Sequence, residues 1–133
     1  MHRHSGMRLR LRAQPQSARL LRQRLSLWLD ELGARGEEIF DLSLASTEAF
    51  ANAVEHPHEP TAEVIEVEGN LDGRTITITV RDHGSWRLHR QRAERGYGLP
   101  LMRQLMNIVE VHRQPEGTSI TMQRQLARPR RFR

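Results

Sequence analysis

The sequence predicts an α+β domain, a two-layer sandwich whose mixed, mostly antiparallel sheet is covered on one face by helices. Three observations carry this. The hydrophobic pattern switches between strand and helix periods in the order β-α-α-β-β-loop-α-β-β. The strands after the first come as two hairpins, joined across Asp72-Gly73 and Pro115-Glu116-Gly117. The 133 residues suit one hydrophobic core, and no internal repeat divides them.

Met7 to Ala13 alternates apolar and basic residues, which marks a strand with one buried face. Residues 1–6 lack that pattern and are expected to be disordered. Pro15 opens a helical stretch in which Leu20, Leu21, Leu25, Trp28, Leu29 and Leu32 recur at helical spacing, and Gly33 supplies a C-cap. A second helix follows Gly36, with Glu37 and Glu38 in its first turn, where the helix dipole favours acids. Its apolar set is Ile39, Leu42, Ala45, Ala49, Phe50 and Ala53. Its expected end is His56, because Pro57 disfavours helical geometry in the residue before it.

Ala62 to Leu71 and Arg74 to Arg81 read as a hairpin, and residues 82–98 as a polar, irregular loop. Leu99 to Ile108 is a predicted helix with Pro100 in its first turn. Val109–Arg113 and Thr118–Leu126 complete the strands. Residues 127–133 form a basic tail with four Arg, again expected to be disordered.

Composition excludes several function classes. There is no Cys, hence no disulfide and no thiolate metal site, which suits a reducing cytoplasm. No apolar run approaches the ~20 residues of a membrane helix, and Met1 to Met7 lacks the apolar stretch of a secretion signal. The expected location is cytoplasmic, with no membrane partner. All 21 basic residues are Arg, which excludes a Walker-type phosphate loop and a Lys Schiff base. Residues 1–29 carry seven Arg and no acid, residues 30–72 one Arg and twelve acids, and residues 73–133 thirteen Arg and four acids. Aromatics make up only 5%, so a base-stacking surface is poorly supplied and no direct nucleic-acid partner is expected.

Four short motifs carry chemistry. Glu48, Asn52 and His56 recur every four residues and so share one stripe of the second helix. Such a stripe suits a solvated edge. It equally suits a site in which a carboxylate accepts a proton and an amide oxygen holds a hard cation. Asp82 ends a strand, and Gly84 follows it; the pair is either a turn or an acceptor for an exocyclic amine with room for a flat ring. Gly96-Tyr97-Gly98 opens a helix, where backbone N–H groups favour anions. Gly117-Thr118 opens the last strand.

In that order and spacing these motifs resemble the GHKL (Bergerat-fold) ATPase superfamily, over about Met7 to Leu126. Thr47 to His56 looks like the N-box of the anti-sigma-factor serine/threonine kinases, and Gly96 to Met102 like their G2 box. The resemblance implies a histidine-kinase-like ATPase domain over 7–126 that binds ATP or ADP with Mg²⁺. It implies Glu48 as general base, Asn52 as Mg²⁺ ligand and Asp82 as acceptor of the adenine amine, with Gly84 beside the ring. It also implies Gly96 and Gly98 as lid hinges beside Leu99, and Thr118 as a support for the adenine site. Two positions depart from the pattern: Trp86 replaces the second Gly of the G1 box, and Glu94 stands where some members carry an Arg, leaving Arg95 or Arg92 to meet the phosphates.

The implied activity is phosphorylation of a STAS-domain anti-anti-sigma factor together with sequestration of a sigma factor. The alternative is a nucleotide-binding regulatory module with little or no kinase activity. A homodimer is also implied, with Leu9, Leu11 and the Trp28 face of the first helix as candidate contacts.

Overall fold

The computed structural model describes residues 5–54, 63–83 and 98–127. The elements run β1 (Ser5–Arg12), α1 (Ser17–Glu31), α2 (Gly36–Ala53), β2 (Val64–Asp72), β3 (Thr75–Arg81), α3 (Gly98–Leu105), β4 (Ile108–Gln114) and β5 (Gly117–Gln125). The order of elements is the expected one. The outermost residues assigned to disorder, 1–4 and 128–133, lie outside the described residues.

The five strands form one sheet in the order β1-β2-β3-β5-β4. Every pairing in it is antiparallel, which corrects the expected mixed sheet. The reason is topological. Two helices between β1 and β2 reverse the chain twice, so β2 returns antiparallel to β1. A single helix between β3 and β4 would make those two parallel, but β5 inserts between them.

Strand alternation sets the core. Ile65, Val67 and Gly69 of β2 face the helices beside Ile76, Ile78 and Val80 of β3, while Thr75, Thr77 and Thr79 face outward. Leu21, Leu25, Trp28 and Leu29 bring α1 onto this layer. A Cβ at Gly69 would lie 2.7 Å from the Trp28 ring, so the missing side chain is what lets the indole rest on the sheet. Leu9, Leu11 and Trp28 are buried inside the protomer, and this removes them as contacts for a second copy.

Element ends differ from expectation by a few residues, each for a local reason. The β2–β3 hairpin turns on Gly73-Arg74, since Asp72 pairs with Thr75; Gly73 takes φ +62° at the first central position, as a II′ turn requires. Gly33 closes α1 in a Schellman motif, with the Ala34 N–H donating to Leu29 O and the Gly33 N–H to Asp30 O. The second helix stops at Ala53 because Val54 turns extended, and His56 lies outside the described residues. The third helix stops at Leu105. The Asn107 N–H donates to Gln123 O and its side-chain oxygen accepts from the Gln125 N–H, which captures the chain into β4.

No helix among the described residues is long and apolar enough to cross a membrane.

Candidate functional site

The site forms where β3 ends and β5 begins, beneath the C-terminal half of α2. Asp82 follows β3 directly. Its N–H donates to Thr118 O at 2.9 Å, and its carboxylate accepts a long bond, 3.4 Å, from the Thr118 N–H. Asp82 and Thr118 are both buried. Gly117 permits this approach. A Cβ there would overlap the carbonyl oxygen of Asp82 and come within 2.9 Å of the His83 Cα, and both neighbours are backbone that cannot swing aside.

Across from these two residues, α2 presents Asn52. Ala49, Asn52, Ala53, Val80, Asp82, Thr118 and Ile120 line one narrow cleft, part of it open to solvent. Its walls are small or apolar, and its polar groups come from three separate elements. This is the composition of a small-molecule site. Asn52 Nδ2 and Thr118 Oγ1 are buried there without a hydrogen-bond partner among the described residues. A buried, unpaired polar atom costs stability, and a ligand in the cleft could satisfy these two; Ser46 Oγ and Thr47 Oγ1 of α2, outside the cleft lining, are unpaired in the same way among the described residues.

Gly98, the first residue of α3, stands against Asn52. A Cβ at that position would lie 3.0 Å from Asn52 Nδ2 and 3.6 Å from its Cγ. Leu99 packs its side chain into the core, which leaves its backbone N–H, in the first turn of α3, as what it offers a ligand. Glu48 is half-buried one turn before Asn52 on the same stripe, and it does not line the cleft. Gly84, Arg95 and Gly96, with Trp86, Arg92 and Glu94, lie outside the described residues.

Of the residues singled out in the sequence, the structure brings Asn52, Asp82 and Thr118 to one cleft and sets Gly98 against Asn52. Sequence reasoning missed Val80 and Ile120 as cleft walls and Gly117 as the residue that sets the Asp82–Thr118 distance. Alternation gave a signal for the first two, since both share the inward face with Asp82 and Thr118.

The description "Histidine kinase-like ATPase domain" matches residues 11–124. The chain belongs to that family. The resemblance to GHKL ATPases of the anti-sigma kinase type holds against individual relatives as well. An anti-sigma F factor from Clostridium perfringens is 27% identical over 134 residues, covering 90% of this chain and 96% of its own. One from Thermoanaerobacter is 28% identical over 131 residues, with 87% and 90% coverage. The RsbU and RsbW domains of Rv1364c from Mycobacterium tuberculosis superpose with a TM-score of 0.76 at 30% identity. That match covers 96% of this chain and 34% of the solved one, so this chain spans about a third of the solved two-domain chain.

For a histidine kinase-like ATPase domain the cleft residues fit a nucleotide with its cation. The Asp82 carboxylate suits an exocyclic amine, and the Thr118 hydroxyl can donate or accept. The Asn52 amide carries an oxygen as well as the orphaned nitrogen, and amide oxygen is a ligand type for hard cations. Among the described residues no three His, Asp or Glu side chains gather as a metal cluster of their own. A cation here would therefore be shared between protein and phosphate oxygens.

Proposed function

We propose that this chain is an anti-sigma-type serine/threonine protein kinase. It binds ATP·Mg²⁺, phosphorylates a Ser or Thr of a STAS-domain anti-anti-sigma factor, and in its other state sequesters a sigma factor in the cytoplasm. The observation that carries the reading is the convergence of Asn52, Asp82 and Thr118 on one cleft, with two buried polar atoms left for a ligand. The anti-sigma F factor relatives, matched over nearly their whole length, support the partners. The exposed Arg19, Arg22 and Arg24 on α1 offer a positively charged face to an acidic partner surface.

The roles follow from the chemistry of each group. Asp82 accepts the adenine N–H, Thr118 supports the same edge, and Val80, Ile120 and Ala49 cover the ring faces. Asn52 holds Mg²⁺, which when bound neutralises phosphate charge. Gly84, Gly96 and Gly98 let the backbone come close to the nucleotide, and Arg95 meets the phosphates. Glu48 takes the proton of the attacking hydroxyl as the new O–P bond forms, while the bond to the ADP oxygen breaks.

A second reading is a nucleotide-binding anti-sigma module without transfer. It is favoured by the position of Glu48 outside the cleft lining and by Trp86 in the G1 box. Incubation with γ-labelled ATP and Ser-bearing STAS proteins separates the two. Transfer of label supports the kinase. Tight ATP binding with no transfer to any STAS protein supports the module. No adenine-nucleotide binding at all sinks both.

A further inference from the structure

The far end of α3 is fastened to α2 through β5. Arg124, on the inward face of β5, donates through one Nη to Asp41 Oδ2 of α2 at 2.8 Å and to the Leu105 carbonyl of α3 at 2.9 Å. Both side chains are mostly withdrawn from water, at 20% and 24% exposure, so this is not a solvated surface pair. Leu105 O belongs to the last turn of α3, whose carbonyls lack partners within the helix. Arg124 therefore joins a carbonyl at the negative end of one helix to a carboxylate on its neighbour.

The other end of α3 is held differently. Gly98 meets Asn52 by close packing, and Leu99 and Met102 pack into the core beside it. Asp41 and Asn52 are eleven residues apart on α2, which returns them to nearly the same side of that helix, with Glu48 between them. The stripe of α2 that bears the candidate site residues is thus the stripe to which Arg124 fastens α3. With eight residues, α3 spans roughly 12 Å, too short to bend, so displacing its C-terminal end displaces Gly98 at the other.

We propose that Arg124 is a positioning residue for nucleotide binding. By clamping Asp41 and Leu105 O it fixes α3 along α2, and so fixes where Gly98 and the first turn of α3 stand relative to Asn52. The inference rests on the cleft being an adenine-nucleotide site. It assigns the clamp to the phosphate end of that site, since Asp82 and Thr118 are held by the β3–β5 pairing and do not depend on α3.

The test compares ATP·Mg²⁺ with adenosine on the full chain, by calorimetry and chemical-shift titration. Arg124→Ala should bind ATP·Mg²⁺ at least tenfold more weakly and adenosine within twofold of wild type. Arg124→Lys, which restores the charge toward Asp41, should recover most of the loss. Asp41→Asn, which leaves the bond to Leu105 O, should lose about threefold and serves if the Ala variant does not fold. Amide hydrogen exchange without nucleotide should quicken over 102–106, the amides bonded within and at the end of α3, in Arg124→Ala and stay unchanged in the β1–β2 pairing. Equal loss for ATP and adenosine, no loss in a folded variant, failure of Lys to rescue, or faster exchange throughout the chain would each overturn the clamp. A wild-type chain that binds no adenine nucleotide strikes instead at the reading of the cleft.

Discussion

Replacing Thr118 by Val should move stability and nucleotide affinity in opposite directions. Thr118 is 7% exposed, and its Oγ1 is buried with no hydrogen-bond partner among the described residues. A buried hydroxyl without a partner costs about 1–3 kcal/mol, whereas an isosteric apolar group in its place costs nothing of that kind. Val has nearly the same shape and is at home in a strand. The low end of the range applies, because the cleft is partly open and admits some solvent. The ligand-free variant should therefore be more stable by ~1 kcal/mol, a rise in Tm of about 3–5 °C for a domain of this size. With nucleotide the sign reverses. A neutral hydrogen bond is worth ~1 kcal/mol, so ATP should bind about fivefold more weakly. Urea unfolding of the free protein gives the first quantity and calorimetry the second, with Thr118→Ser as the control that keeps the hydroxyl. A Val variant that is less stable and binds ATP as before would refute the inference from orphaned atom to ligand.

The fold was legible because its pattern is local. The alternation of Thr75 to Val80, the helical spacing from Leu21 to Leu32, and the two Gly-bearing turns each follow from neighbours in sequence. What was not legible is non-local. That β5 enters between β3 and β4, and so makes the sheet wholly antiparallel, depends on which strands pair and leaves no mark in either strand's own pattern. The candidate site divides along the same line. That Asn52, Asp82 and Thr118 share one cleft is signalled by motif order, not by their types in isolation. Gly117 looked like a hairpin residue, and only its approach to the backbone of Asp82, 35 positions away, shows why nothing larger fits. The clamp of Arg124 on Asp41 was invisible for that reason too: one of 21 Arg and one of 16 acids carry no hint of meeting. Leu9, Leu11 and Trp28 failed as interface candidates because an apolar strand face reads identically whether its own helix covers it or a second copy does.

Three further perturbations probe the site and its frame. Asp82→Ala should cost ~1.5–3 kcal/mol of nucleotide affinity, tenfold to hundredfold, for ATP and ADP alike by calorimetry, since the lost bond lies at the base. Gly69→Ala should lower stability by about 1–3 kcal/mol in urea unfolding, because its Cβ would meet Trp28 and Ile78 at 2.7 and 3.2 Å. The double variant with Trp28→Leu should lose less than the two single losses added together, and nucleotide affinity should hold, as residue 69 does not line the cleft. The last perturbation, Glu48→Gln, decides between kinase and module. Glu48 is half-buried and lies one helical turn before Asn52 on the same stripe, outside the cleft lining. Gln keeps the size and the hydrogen-bonding capacity and removes the proton acceptor. A positioned base contributes ~10²–10⁴-fold to such a transfer, the remainder coming from alignment and charge stabilisation. The variant should bind ATP·Mg²⁺ within a factor of two of wild type and transfer phosphate to a STAS substrate at least tenfold more slowly. If transfer runs at the wild-type rate, Glu48 is not the base. If wild type and variant both bind ATP and neither transfers, the chain is the binding module, and Glu48 serves only to polarise the waters around a cation at Asn52.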